Sequence, residues 1–250
     1  MCGIVGMAGD LDTANHPKVF RDLLLLDSVR GWDSTGVCLV DAFGTSEPKV
    51  VKSVGMLDNL YYASHTDFDN KYCVKGPRKK VMIGHNRAAT IGGVTDDNAH
   101  PFTYGHITGV HNGTLRQYYN LEYENPKDID SKCLIYSIYK KGIEWTWANF
   151  VGAAALVWWD HKEGTLNFIR NKERPMNFVM SEDKKTLYFA SESQMIRYAT
   201  AVNGKKLEMN EAGDKYIVQS LVEDTHYSFE VKSGTVGEVT KRKLEPKKDE

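Results

Sequence analysis

The chain opens Met1-Cys2-Gly3-Ile4-Val5-Gly6-Met7. Ile4 to Met7 form the first strand-like run, and Cys2 stands just before it. Cys2 is small enough for removal of Met1 to be expected. The exposed Cys2 would then carry a thiol nucleophile and, on its own backbone nitrogen, a general base. A free α-amino group has a pKa of about 7.7–8.0 and a thiol about 8.5, so the two can exchange a proton near neutral pH without a separate histidine. Gly3 and Gly6 would let other backbone approach this terminus closely. Taken alone, a cysteine here reads more readily as a small buried hydrophobe.

Working outward, further strand-like runs fall at 37–40, 81–83, 154–159, 166–169 and 187–190. Helical patterns lie at 17–30, with Val19, Phe20, Leu23, Leu24 and Leu26, and at 131–141, with Leu134, Ile135, Ile138 and Tyr139. Runs of strands with helices grouped around them indicate the α+β class, helices covering antiparallel sheets.

A chain of 250 residues suits a single domain with a sizeable core. Nothing approaches the roughly 18 apolar residues of a membrane span, so a soluble protein is expected, with no membrane partner. Lysine and arginine total 32 against 33 aspartates and glutamates, which removes the electrostatic case for a nucleic-acid partner. Cys2, Cys38, Cys73 and Cys133 are widely spaced and form no disulfide scaffold; with no signal peptide in view, a reducing, cytoplasmic location follows. The domain is expected to span 2–235, and the charged stretch 236–250 to be a solvated tail.

Five blocks occur in order: Cys2-Gly3-Ile4-Val5-Gly6, Arg30-Gly31-Trp32-Asp33-Ser34-Thr35-Gly36, Gly84-His85-Asn86-Arg87-Ala88-Ala89-Thr90, Asn98-Ala99-His100-Pro101-Phe102 and Val110-His111-Asn112-Gly113-Thr114-Leu115. Together they resemble the class II glutamine amidotransferase domain of glucosamine-6-phosphate synthase, amidophosphoribosyltransferase and asparagine synthetase. Gly152-Ala153-Ala154-Ala155, Arg170 and Phe189-Ala190-Ser191-Glu192 are also similar, so the likeness spans residues 2 to 200.

The resemblance implies an αββα sandwich, two antiparallel sheets between helical layers as in N-terminal-nucleophile (Ntn) hydrolases. It implies that Cys2 attacks the side-chain amide of L-glutamine while the Asn112 amide and the Gly113 N–H form an oxyanion hole. Arg87 would clamp the α-carboxylate in a two-pronged way suited to its planar fork, with the Thr90 hydroxyl beside it. Asp130 would hold the α-ammonium. Arg30 and Asp33 are expected to form an ion pair that shapes the pocket, and His100 to support it by hydrogen bonding. No cofactor is implied. In isolation Asn112-Gly113 reads as a hairpin turn and Asp130 as a helix N-cap. His85, His100, His106 and His111, with Cys73 upstream, match no common zinc spacing, so no metal is expected.

Three positions depart from the family pattern. Ala88 replaces a bulky aromatic of the substrate-covering loop, which predicts weaker closure; Lys132 stands where an acid is usual, and Ile91 where a polar residue is usual. The expected reaction is glutamine hydrolysis to glutamate and ammonia, with ammonia passed to a separate acceptor enzyme. Two alternatives stand beside it: a catalytically silent binding or regulatory domain of the same fold, and an Ntn hydrolase of a different amide.

Overall fold

Strand β1 (Gly3–Gly9) is buried along its whole length, because it runs through the middle of the molecule with packing on both faces. Its alternation sends Val5 and Met7 to one side and Ile4 and Ala8 to the other. The computed structural model describes every residue except 44–46, 63–76, 124–127, 211–212, 214–215, 233 and 248–250.

β1 is central in a seven-stranded sheet ordered β11-β9-β10-β1-β4-β2-β3. Its partners are β2 (Ser34–Asp41), β3 (Lys49–Val54), β4 (Lys79–Arg87), β9 (Asn177–Met180), β10 (Thr186–Ala190) and β11 (Gln219–Ser220). A second sheet of six strands runs β13-β12-β8-β7-β6-β5. It comprises β5 (Phe102–Tyr104), β6 (Ile107–Leu115), β7 (Gly152–Asp160), β8 (Thr165–Arg170), β12 (Thr225–Lys232) and β13 (Thr235–Lys243). All pairings among these strands are antiparallel.

Three apolar layers hold the sandwich together. Between the sheets lie Ile4, Ile83, Val157, Trp159, Phe168, Phe189 and Phe229, with Phe168 edge-on to Phe189 at 5.0 Å and to Phe229 at 5.7 Å. Outside the first sheet, helices α1 (His16–Asp27) and α4 (Ser193–Val202) cover Val5, Met7 and Tyr188 with Phe20, Leu23, Leu24 and Ile196. Outside the second, α3 (Asp130–Trp147) lays Leu134, Ile135, Ile138 and Trp147 over Leu156 and Trp158. Each fully buried aliphatic or aromatic side chain contributes about 1.5–3 kcal/mol. A short helix, α2 (Leu57–Tyr62), follows β3. The fold is the αββα sandwich of antiparallel sheets expected from the sequence.

α1 buries His16, Val19, Phe20, Leu23, Leu24 and Asp27, the one-sided spacing of an amphipathic helix. It begins with Pro17 in the first turn, where a missing N–H costs nothing, and tightens at its end into a 3-10 turn over Ser28–Arg30. α3 runs beyond the expected 131–141 and bends at Gly142, whose φ of 82° leaves the helical region.

Two boundaries differ from the sequence reading. Asn112-Gly113 is no hairpin turn: both residues lie within β6, opposite Ala155 and Ala154 of β7. The stretch from residue 236, expected as a solvated tail, begins inside β13, which pairs with β12 from Thr225↔Lys243 to Lys232↔Thr235. Half-buried Val236 and Val239 reach the central layer, and Leu244 is buried under α3; these apolar anchors outweigh the surrounding charge. Among the described residues, no helix is long and apolar enough to cross a membrane.

Candidate active site

The start of β1, the start of β2 and the end of β4 meet at one corner of the first sheet: Gly3 pairs with Asn86 and Ser34 with Arg87. Cys2 sits at this corner, half-buried. Its sulfur receives the Ala88 N–H at 3.3 Å and lies 3.3 Å from the Ala88 carbonyl. The Cys2 carbonyl accepts from Arg30 Nε at 3.0 Å. Burial pushes the thiol above its ordinary value, against the pull of the Ala88 N–H, the terminal amine and Arg87; Asp27 adds to the push.

β6 brings the second sheet to the same corner. Asn112 is buried, and its Nδ2 finds no hydrogen-bond partner among the described residues. A Cβ on Gly113 would lie 1.8 Å from the Ala153 carbonyl oxygen of β7, so only glycine lets the two backbones come this close. His111, the preceding residue, has Nδ1 2.9 Å from the Ser131 hydroxyl and Nε2 3.2 Å from the Ala153 carbonyl. Burial lowers its basicity.

Arg87, the last residue of β4, is buried. Its Nη2 donates to the Ile91 carbonyl at 2.7 Å and its Nη1 to the Gly93 carbonyl at 3.0 Å. The guanidinium thus anchors the loop that follows it and retains further N–H groups, since it has five donors. Burial pulls its basicity down, against the neighbouring charges of Cys2, Asp130 and Asp33. Thr90, in that loop, lies with its hydroxyl 3.1 Å from that of Thr114 on β6, which ties the two sheet corners together. Asp130 is buried; its Oδ2 accepts the Leu115 N–H at 2.8 Å and its Oδ1 the Ser131 N–H at 2.8 Å. It occupies the first turn of α3, the N-cap being Ile129.

The structure therefore gathers Cys2, Arg87, Thr90, Asn112, Gly113 and Asp130 along one connected path, from the sulfur through Ala88 and the Thr90–Thr114 contact to Leu115. Two supporting contacts differ from expectation. Arg30 pairs with Glu192, Nη1 to Oε1 at 2.6 Å, and not with Asp33, because its side chain turns toward the approach to α4. The Asp33 carboxylate instead accepts the Ala89 N–H at 2.7 Å. His100 makes no hydrogen bond through either ring nitrogen among the described residues. It stacks on His85 at 4.0 Å and tilts against Phe102 at 4.6 Å, so its support is packing. Burial holds it neutral, well below the ordinary histidine value.

His85 Nε2 donates to the His111 carbonyl at 3.0 Å, while His106 lies apart, near Asp160 and Tyr139. Among the described residues no group of three or more His, Cys, Asp or Glu is arranged to hold a metal; Cys73 lies outside them.

One residue beside Cys2 escaped the sequence reading. Asp27 is wholly buried at the end of α1, where its Oδ2 accepts the Asn86 Nδ2–H at 3.0 Å. Asn86 is held in turn by the Leu24 carbonyl at 2.9 Å and the Thr35 hydroxyl at 2.9 Å. The available signal was the helical spacing itself, because positions 16, 20, 23 and 27 fall on one stripe.

Known proteins are similar to this chain. A family model described as a glutamine amidotransferase domain matches residues 85–198. The glutamine–fructose-6-phosphate aminotransferase (isomerizing) of Gluconobacter oxydans is 35% identical over 132 residues, covering 53% of this chain and 19% of that protein. Its counterpart from Thermus thermophilus is 38% identical over 125 residues, 49% of this chain and 18% of the relative. The chain thus spans about a fifth of the length of these relatives. Among solved structures, the glutamine phosphoribosylpyrophosphate amidotransferase of B. subtilis, complexed with ADP and GMP, superposes with a TM-score of 0.68 at 17% identity. That match covers 97% of this chain and 49% of the other, and it bears on the fold.

Proposed function

We propose that this chain, which carries a class II glutamine amidotransferase domain, hydrolyses the side-chain amide of L-glutamine with Cys2 as nucleophile once Met1 is removed. Met1 is 69% exposed, so its peptide bond is open to processing. The observation that carries the reading is the Asn112 amide. A buried N–H₂ without a partner is costly and calls for a reason, and a developing oxyanion on a substrate attacked by Cys2 supplies one.

In this mechanism the Cys2 S–H bond breaks and its proton moves to the Cys2 α-amine, directly or through a water. The sulfur bonds to the glutamine Cδ, and the oxyanion is met by Asn112 Nδ2 and the Gly113 N–H. As the C–N bond breaks, the ammonium returns its proton to the departing nitrogen, releasing ammonia and leaving a γ-glutamyl thioester. Water then cleaves the thioester to glutamate and free thiol. Arg87 and Thr90 take the substrate α-carboxylate and Asp130 its α-ammonium. The reaction so written needs no metal or organic cofactor.

The ammonia passes, in this reading, to an acceptor enzyme on a separate polypeptide. Free ammonia is mostly protonated and diluted at neutral pH, so release beside the consumer is advantageous. A second reading, ligand binding without turnover, draws on Arg87, whose terminal nitrogens already hold loop carbonyls. The deciding experiment measures glutamate release by the pure chain, by Cys2→Ala and by the chain with protein recovered from its host by pull-down. Cys2-dependent release, raised by a recovered partner, is expected. Binding of glutamine without release under any condition removes the hydrolase reading.

A further inference from the structure

Asp27 is an ionisable residue on the apolar stripe of α1, where a leucine would satisfy the helix and avoid the cost of burying a carboxyl. Its Oδ1 has no hydrogen-bond partner among the described residues. A Cβ on Gly3 would lie 1.8 Å from that oxygen, so the carboxyl rests against the Cα of the residue bonded to Cys2. Arg30 Nη2 is likewise buried and unpartnered among the described residues, although the same guanidinium holds the Cys2 carbonyl. Two unsatisfied ionisable atoms therefore flank the backbone of residues 2 and 3.

We propose that Asp27 is a positioning residue for hydrolysis: its carboxyl, sealed behind Gly3, is the counter-charge of the Cys2 α-ammonium. This rests on the reading of Cys2 as a nucleophile with a free amine. When the thiol proton moves to that amine, a positive charge appears and persists until the leaving nitrogen takes the proton. An opposite charge close behind it favours that charged form.

The charged and titratable groups facing Asp27 are Arg30 from the 3-10 turn, Glu192 from the approach to α4, and Cys2 ahead of β1; from β4 it meets the uncharged Asn86. Burial dominates and pushes the carboxyl up to about 7, against the pull of Asn86 and Arg30 and with a further push from Glu192. Asp27 is thus poised to ionise in the range where the amine must gain and lose its proton.

The test is the near-isosteric Asp27→Asn in the full chain. kcat for glutamine hydrolysis should fall by about tenfold or more, with KM changed by less than about threefold. The acid limb of kcat/KM and the midpoint of Cys2 alkylation should both move to lower pH, by about half a unit or more, because a lost negative charge makes amine and thiol give up protons more easily. A lower kcat with both midpoints unmoved would reflect structure alone and overturn the proposal. Should Asp27→Asn not fold, carboxyl ¹³C NMR of the wild-type chain decides. Inserting a residue between Met1 and Cys2, which turns the amine into an amide, should raise the Asp27 midpoint; an unchanged midpoint overturns the proposal. Glutamate release lost in Cys2→Ala while the Asp27 midpoints stay fixed removes this inference alone. Release retained in Cys2→Ala removes the nucleophile reading and this inference with it.

Discussion

The backbone N–H of Ala88 donates to the Cys2 sulfur at 3.3 Å, so the residue after the site's arginine touches the nucleophile through its main chain. A hydrogen bond to sulfur favours the thiolate, and the terminal amine and Arg87 act in the same direction. The buried Cys38 has no such help, and at Cys133 a backbone N–H and Lys132 are outweighed by burial with Asp128 and Asp130, so that burial first of all pushes each of them up to about 12. A glutamine-like electrophile at neutral pH should therefore label Cys2 and leave Cys38 and Cys133 untouched, with the adduct mass showing loss of Met1. Peptide mapping checks this, and labelling confined to the other cysteines removes Cys2 from the mechanism.

Arg87→Lys keeps a charge but not the two-pronged donor, and it also frees the carbonyls of Ile91 and Gly93. KM for glutamine should rise by about tenfold or more with a smaller change in kcat. Asn112→Ala should instead lower kcat by about 10² to 10³ with KM nearly constant. Steady-state kinetics separate the two, and the reverse pattern would exchange their roles.

Gly113→Ala places a methyl group against the Ala153 carbonyl, both on fixed backbone. The strand pair must part, at a cost of about 1–3 kcal/mol in stability, and the Gly113 N–H leaves its position. Denaturant titration and kcat should both register the change. A variant of unchanged stability and rate would show that β6 and β7 have slack at this point.

Stability should fall in acid through buried histidines. Burial lowers His16 to about 4, His85 to about 3 and His226 to about 4 in the folded chain, below the unfolded value of about 6.5. The unfolded chain thus binds more protons, and stability is lost progressively as pH drops from about 6.5 to about 3. Asp27 has the opposite sign: its raised folded value makes ionisation cost stability as pH climbs from about 4 to about 7. Asp27→Asn should therefore stabilise the protein at pH 8 and leave it nearly unchanged at pH 4. Denaturant midpoints across this range test both signs.

β1, β2, β4, β7, β8 and β10 were legible in the sequence because each contains a short apolar run with at most one interruption, Gly6 in β1 and Asn167 in β8. β6 was not, since Gly109, Asn112, Gly113 and Thr114 interrupt it; its place is set by pairing with β7. The gathering of Cys2, Arg87, Asn112 and Asp130 followed from family likeness. The partner of Arg30 could not be read, because Glu192 lies 162 positions away and only the closing of β1 against β10 brings it near. Asp27 was legible in principle, as an acid in phase with Phe20 and Leu23, and was passed over because acids on helices usually face water.

β13 lies at the margin of the second sheet and leaves Lys241, Arg242 and Lys243 exposed. A free strand margin invites a second chain to add on and propagate, and charged side chains along it discourage such an addition; here Arg242 is paired with Glu144 and Lys243 with Asp224. A protein cut at residue 235, where composition alone would end the domain, would make β12 the new margin, with Tyr227, Phe229 and Val231 on its core side. It would be prone to aggregation, and the basic run that looks like a disposable appendage serves as the guard of the sheet.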